Sequence, residues 1–222
     1  MGRVSLRDPP SSGVRPEPLV RAVFSRPSHE LARGLLGLWV ARETDEGLTC
    51  GVIVETEAYG GPEDLASHAR AGRTRRTAPM FGPAGHAYVY RIYGLHWCLN
   101  VVAERDGVAG AVLIRAVDPV LGLPRIRERR RRPGDPDERL AAGPARLCAA
   151  LAIDGSLDGH DLTTGTALWI ADADPAGRER LVAGGVVAGP RVGVSYAGDG
   201  WAERPWRFAI AGHPALSRRM PA

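Results

Sequence analysis

The segment from Leu48 to Tyr59 reads as one long strand, closed off by Asp45-Glu46-Gly47 before it and Gly60-Gly61-Pro62 after it. A strand about twice the usual five or six residues spans a whole domain and dictates where its neighbours run. Side chains alternate along a strand. Ile53, Glu55, Glu57 and Tyr59 therefore fall on one face, and Val52, Val54, Thr56 and Ala58 on the other. Two carboxylates and a phenol then line one side of an otherwise apolar segment. A carboxylate held half-desolvated in such a place can take a proton from water. The competing reading is an edge strand whose glutamates face solvent.

The remaining elements are short, as 28 glycines and 18 prolines among 222 residues require. Helical spacing begins at Ser28, a candidate N-cap, and places Leu31, Leu35 and Leu36 on one face. Short strands are expected over residues 38–41, 86–92, 97–103, 111–117, 167–171, 191–196 and 206–210. Residues 63–69 suit a turn or more of helix. Helices are also expected over 121–132, with six arginines, and over 144–151, with Pro144 in the first turn. Gly94 joins two of the strands into a hairpin with Tyr93, Leu95 and His96 near its tip. No internal repeat and no βαβ rhythm occur. The expected fold is a single mixed α+β domain: a mainly antiparallel, curved sheet with peripheral helices and a protruding β-hairpin. The domain is expected over residues 20–218. Residues 1–19, with four prolines, read as a disordered lead-in.

Composition narrows the chemistry. The net charge is +4, and all 29 positive side chains are arginine. Without lysine, no side-chain Schiff base can form. Arginine also suits polyanion contact, although an arginine-rich composition throughout weakens that inference. Cys50, Cys98 and Cys148 form no CxxC pair, which fits a reducing, cytoplasmic setting. No secretory signal and no apolar run of membrane-spanning length is found. There is no P-loop, no GxGxxG opening a βαβ unit, no HExxH, and Ser195 is not in a GxSxG elbow. Glu57 and His68 could serve as metal ligands, but the set is thin, and no metal or cofactor is expected.

A second constellation surrounds Gly94: Tyr88, Tyr90, Tyr93, His96 and Trp97. Tyrosine rings can stack on bases, and a hairpin tip can wedge between base pairs. The bland alternative, rings filling a core under the hairpin, is favoured for Tyr88. Arginines in 70–76 and 125–132 could flank such a tip and meet phosphates, or simply form a solvated face.

Several ordered blocks resemble the alkyladenine (3-methyladenine) DNA glycosylase family. They are Val54-Glu55-Thr56-Glu57-Ala58-Tyr59, Gly61-Pro62-Glu63-Asp64 with His68, Tyr88-Val89-Tyr90, Ile92-Tyr93-Gly94 and Cys98-Leu99-Asn100. Leu113-Ile114-Arg115-Ala116, Gly143-Pro144, Ala150-Leu151-Ala152-Ile153 and Arg191-Val192-Gly193-Val194 continue the match, which runs from about Val20 to Ser217. The resemblance implies a monofunctional glycosylase that flips alkylated or deaminated purines out of duplex DNA and starts base excision repair, as a monomer. It implies Glu57 as the base acting on water, with Arg115 and the Val192 carbonyl holding that water. It implies Tyr59, His68 and Tyr90 around the flipped base, Asn100 as a gate against a purine 2-amino group, and Tyr93 filling the gap in the duplex. Leu95 and His96 would touch DNA at the hairpin tip; His96 stands where relatives can carry another aromatic. The alternatives are a non-catalytic nucleic-acid-binding module and a metal-dependent hydrolase using Glu57 and His68.

Overall fold

The computed structural model describes residues 15–198 and 200–220. Its eight strands are β1 (Trp39–Thr44), β2 (Gly47–Tyr59), β3 (Ala87–Ile92), β4 (His96–Val102), β5 (Ala111–Leu121), β6 (Leu168–Ala171), β7 (Val186–Gly189) and β8 (Arg207–Ile210). Four α-helices lie around them: α1 (Ser28–Gly34), α2 (Leu123–Arg130), α3 (Pro144–Ala150) and α4 (Pro175–Ala183). The strands form one open sheet in the order β3-β4-β5-β2-β1-β6, with β8 also beside β2 and β7 beside β8. Every pairing is antiparallel. This is the mixed α+β architecture that the strand and helix pattern predicts.

β2 is the centre of this sheet. One edge pairs with β5 from Cys50 to Tyr59. The other pairs with β1 over its first half and with β8 at Glu55–Glu57. An edge strand with solvent-facing glutamates is therefore excluded, and Glu55 and Glu57 are fully buried. Simple alternation also fails here. In the β2–β5 register Glu55 faces Ala116, but Ile53 faces Val117 and Thr56 faces Ile114. Val54 on β2 and Arg115 on β5 are thus the extra residues of two neighbouring bulges. Bulges re-aim side chains, and these two flank Glu55.

α1 packs on the opposite side of β2, where Thr56 Oγ1 donates to the Ala32 carbonyl at 2.8 Å. Pro27, not Ser28, occupies its N-cap, and the Ser28 N–H instead meets the Glu104 carboxylate at 2.8 Å. Leu31, Leu35 and Leu36 are buried in the core. β3 and β4 form the expected hairpin. Tyr93 (φ 52°) and Gly94 (φ 67°) are its two central turn residues, closed by a 3.1 Å bond from Leu95 N–H to the Ile92 carbonyl. Two positive φ values in succession make a type I′ turn, whose twist suits a hairpin.

Several local expectations need correction. Residues 191–196 are not a strand. Pro190 lacks a ladder donor, Gly193 turns at φ 76°, and Ser195–Ala197 is a 3-10 turn; the strand lies earlier, at β7. Residues 63–69 yield only the 3-10 turn His68–Ala71, because Asp64 bonds the backbone N–H of Gly60 and Ala66 instead. Residues 1–14 of the expected lead-in lie outside the described residues. Its last residues pack: Trp169 Nε1 donates to the Pro16 carbonyl at 2.8 Å, and Pro18 bridges to Ala171. The arginine-rich helix, α2, does not flank the hairpin. It sits at the Gly47 end of β2, where Arg129 binds Glu46 and Arg130 binds the Leu140 carbonyl. Among the described residues, no helix is long and apolar enough to cross a membrane.

Candidate active site

The end of β2, the middles of β3, β4 and β5, the 3-10 turn at His68 and the loop after β7 converge on a pocket of about 220 Å³. Tyr59, His68, Tyr90, Asn100, Arg115 and Val192 all line it. These residues lie far apart in sequence, and sheet pairing brings them together. Tyr88, set aside as a core residue, is indeed 2% exposed, and it also lines the same pocket.

Glu57 stands behind this wall. Its Oε1 accepts the Val192 N–H at 2.7 Å and its Oε2 accepts the Tyr59 hydroxyl at 2.8 Å. Arg115 Nη1 lies 3.2 Å from Oε2. The link from Val192 to Glu57 is thus made by its N–H. Burial first, then the Glu57 charge, pushes the Tyr59 phenol well above its usual range, so it remains a donor. Burial opposes the charge on Arg115, but the adjoining Glu57 and Glu55 carboxylates outweigh it and hold the guanidinium above its ordinary value.

The aromatic wall is wedged together edge to face. The rings of His68 and Tyr90 lie 4.6 Å apart at 75°, and His68 Nδ1 shares a 3.0 Å hydrogen bond with the Tyr88 hydroxyl. Arg76 reaches over Tyr90 at 5.3 Å, so part of the 70–76 arginine loop does border the pocket. Burial, with the positive charges of Arg76 and Arg70, lowers His68 to about 4. The ring is therefore neutral at pH 7. Asn100 Nδ2 donates to the Tyr88 carbonyl at 3.0 Å, which fixes the carboxamide in the wall.

At the mouth, Tyr93 is 87% exposed and Leu95 74% exposed, with His96 exposed beside them. Large apolar side chains presented together at a hairpin tip are not core residues. Tyr93 also holds a left-handed backbone conformation that costs a bulky residue about 1–3 kcal/mol. Among the described residues no group of three or more side chains could hold a metal ion. The three cysteines are free and buried.

A model of the methylpurine-DNA glycosylase family matches residues 22–214. The chain belongs to the methylpurine-DNA glycosylase family. With that membership comes its activity class, hydrolysis of an N-glycosyl bond in DNA. Similar proteins include one from Methanocella arvoryzae, 44% identical over 91% of this chain and 97% of its own. Another, from Anaeromyxobacter dehalogenans, is 49% identical over 91% and 88%. A third, from Rhodopseudomonas palustris, is 45% identical over 97% and 98%. Each is provisionally named a 3-methyladenine DNA glycosylase.

In this glycosylase Asp64 and Arg191, for which no role is expected from sequence, fix the loop that carries Val192. Arg191 Nη1 and Nη2 grip the two Asp64 oxygens at 2.6 and 2.9 Å, with both side chains wholly buried. The same guanidinium bonds the Ala58 and Trp201 carbonyls and lies over the Tyr59 ring at 4.9 Å. The signal was present as the Gly61-Pro62-Glu63-Asp64 and Arg191-Val192 blocks, but nothing local pairs residues so far apart.

His68 gives this geometry a direct test. An unfolded histidine binds a proton near pH 6.5, and the folded His68 only near 4. Between those values the unfolded chain holds more protons, so the His68 contribution to stability is present above 6.5 and lost as pH falls toward 4. NMR titration of the imidazole should show a midpoint near 4. A midpoint near 6.5 would mean that His68 is not packed in the wall.

Proposed function

We propose that the enzyme excises alkylated, and also deaminated, purines from double-stranded DNA by flipping the damaged nucleotide into the pocket, and that it works as a monomer in the compartment that holds the DNA. The observation that carries this reading is the pairing of an aromatic pocket with a fully buried carboxylate directly behind its wall. Tyr59, His68 and Tyr90 can enclose a planar base by stacking and edge contact. Asn100, held by Tyr88, stands where a purine 2-amino group would clash.

An alkylated purine carries positive charge, so its glycosidic bond is weak and its departure needs little acid help. The remaining tasks are stabilising an oxocarbenium-like sugar and delivering water to C1′. An ionised carboxylate has about four acceptor positions. Protein donors take three on Glu57: Val192 N–H, Tyr59 O–H and Arg115 Nη1. These contacts orient the carboxylate and leave capacity on Oε1 for one water O–H. Arg115, which reaches both Glu57 and the pocket, holds that water from the other side, with the Val192 carbonyl. Glu57 takes the proton as the water attacks. With no lysine in the sequence to form a Schiff base, the reaction ends at an abasic site.

Flipping costs a few kcal/mol of stacking and pairing. Tyr93, presented at the hairpin tip beside the pocket, offsets part of that cost by entering the vacated stack; Leu95 and His96 touch the neighbouring nucleotides.

Glu57→Gln keeps the shape but cannot accept the proton. Single-turnover excision of 3-methyladenine should fall by at least about a hundredfold, while lesion binding stays within a few-fold. Excision near the native rate would remove Glu57 from the mechanism. Full binding with no excision by the native protein would identify a binding module instead. Tyr93→Gly should separate strain from function. Glycine relieves the positive φ, so stability should rise by about 0.5–1 kcal/mol, while flipping, followed with a fluorescent base analogue, weakens. A loss of stability would place Tyr93 in the core.

A further inference from the structure

Behind Glu57 lies a second buried carboxylate, Glu55, which does not itself line the pocket. Glu55 Oε1 accepts from Arg115 Nε at 2.9 Å, from Arg207 Nε at 2.8 Å and from Ser217 Oγ at 2.8 Å. Its Oε2 accepts the Ser217 N–H at 2.6 Å. Arg115 Nη2 donates to the same Ser217 hydroxyl at 3.1 Å, and Arg207 Nη2 donates to the Arg218 carbonyl at 2.7 Å. The Arg115 and Arg207 side chains are 8% and 5% exposed, and both glutamates are fully buried.

The group therefore contains two carboxylates and two guanidiniums in the buried interior. Arg115 is shared, with Nε on Glu55 and Nη1 on Glu57. Arg207, which lies opposite Glu57 in the β2–β8 register, turns its Nε to Glu55. Without Arg207, one guanidinium would have to serve two buried negative charges, and like charges close together favour protonation of one of them. We propose that Arg207 is a positioning residue for excision: by neutralising Glu55 it leaves the charge of Arg115 to Glu57 and the pocket, while Ser217 fixes the rotation of the Arg115 guanidinium. This inference rests on the proposed role of Glu57.

The groups that face Glu57 come from every neighbouring element. Tyr59 lies on its own strand and Arg115 on β5, with Glu55 beyond it. Tyr90 on β3 and Cys98 on β4 interact with it electrostatically. Arg191 stands over Tyr59 from the loop, and Arg207 stands opposite on β8. Burial raises Tyr59, Tyr90 and Cys98, so they stay neutral at working pH. Removing Arg207 thus changes the charge balance beside Glu57, while His68, the pocket imidazole lowered to about 4, is common to the native protein and the variants and does not produce a shift between them.

The test is the pH profile of single-turnover 3-methyladenine excision by the full-length protein, with folding checked by circular dichroism at each pH. In Arg207→Gln the low-pH arm should move up by about one to two units, with the high-pH plateau and lesion binding close to native. Arg207→Lys, which restores the charge, should return the arm toward its native position. The double variant Arg207→Gln with Glu55→Gln, which again matches one guanidinium to one carboxylate, should do the same and keeps the test open if Arg207→Gln alone does not fold. An arm that stays put in Arg207→Gln, or that moves equally in the double variant, overturns the proposal. So does a uniform loss of rate at every pH that Lys does not rescue, for that is a structural role. If the native protein excises nothing, or Glu57→Gln excises normally, the functional reading fails first and independently.

Discussion

Four charged side chains sit in the middle of the sheet, and the rest of the molecule is arranged around keeping them there. Glu55, Glu57, Arg115 and Arg207 are all under a tenth exposed. Burying a lone carboxylate is so unfavourable that it would protonate or unfold its surroundings, and even a buried pair seldom adds stability over a well-packed apolar substitute. Such a cluster is held at a cost that hydrophobic burial elsewhere must cover. The core wraps both faces of the sheet and both halves of the chain, from Phe24 to Leu216. The two bulges beside Glu55 are part of the same arrangement. They bring Arg115 out of the regular ladder to serve Glu55 through one nitrogen and Glu57 through another.

From that cluster the order of the site follows outward. Glu57 is oriented by donors from three separate segments: Tyr59 on its own strand, Arg115 on β5 and Val192 on the loop after β7. The loop is fixed in turn by the Asp64–Arg191 pair, which ties it to the end of β2. The aromatic wall comes from the hairpin strands, whose pairing to β5 sets its distance from Glu57. Rigid elements thus hold the pocket and Glu57, and in the proposed function the exposed, strained hairpin tip is the part that meets the duplex. A strained turn persists only where the surrounding structure determines it, and here the β3–β4 ladder does so.

Much of this was legible in the residues. The long strand, the hairpin around Gly94 and the run of antiparallel pairs are local signals of period and turn chemistry. The ordered motif blocks pointed to Tyr59, His68, Tyr90, Asn100 and Arg115, which the fold brings to one pocket, and to Glu57, which it sets behind the pocket wall. What could not be read was non-local. Alternation alone places Glu55 and Glu57 on one face, but the bulge at Val54 depends on the partner strand. Arg191-Val192-Gly193-Val194 has the composition of a strand, but Pro190 and the turn at Gly193 break it, and the partner that anchors Arg191, Asp64, is distant in sequence. The arginines of α2 suggest a phosphate-binding flank, but their acceptors are Glu46, Asp137 and backbone carbonyls at the far end of β2. The segment α4 and β7 was missed, although Asp174 before Pro175 is a sound helix start: its side chain accepts the Gly177 N–H.

In the proposed mechanism the buried Glu57, held by Val192, Tyr59 and Arg115, acts on a water at the pocket wall. A crystal structure of the protein on duplex DNA carrying a cationic pyrrolidine analogue of the abasic sugar tests this most directly. The analogue should occupy the pocket mouth, with a single ordered water within hydrogen-bond distance of both Glu57 Oε1 and Arg115, aligned on the ring position that stands for C1′. An analogue bound with Glu57 still sealed behind Tyr59 and no water between them would contradict it.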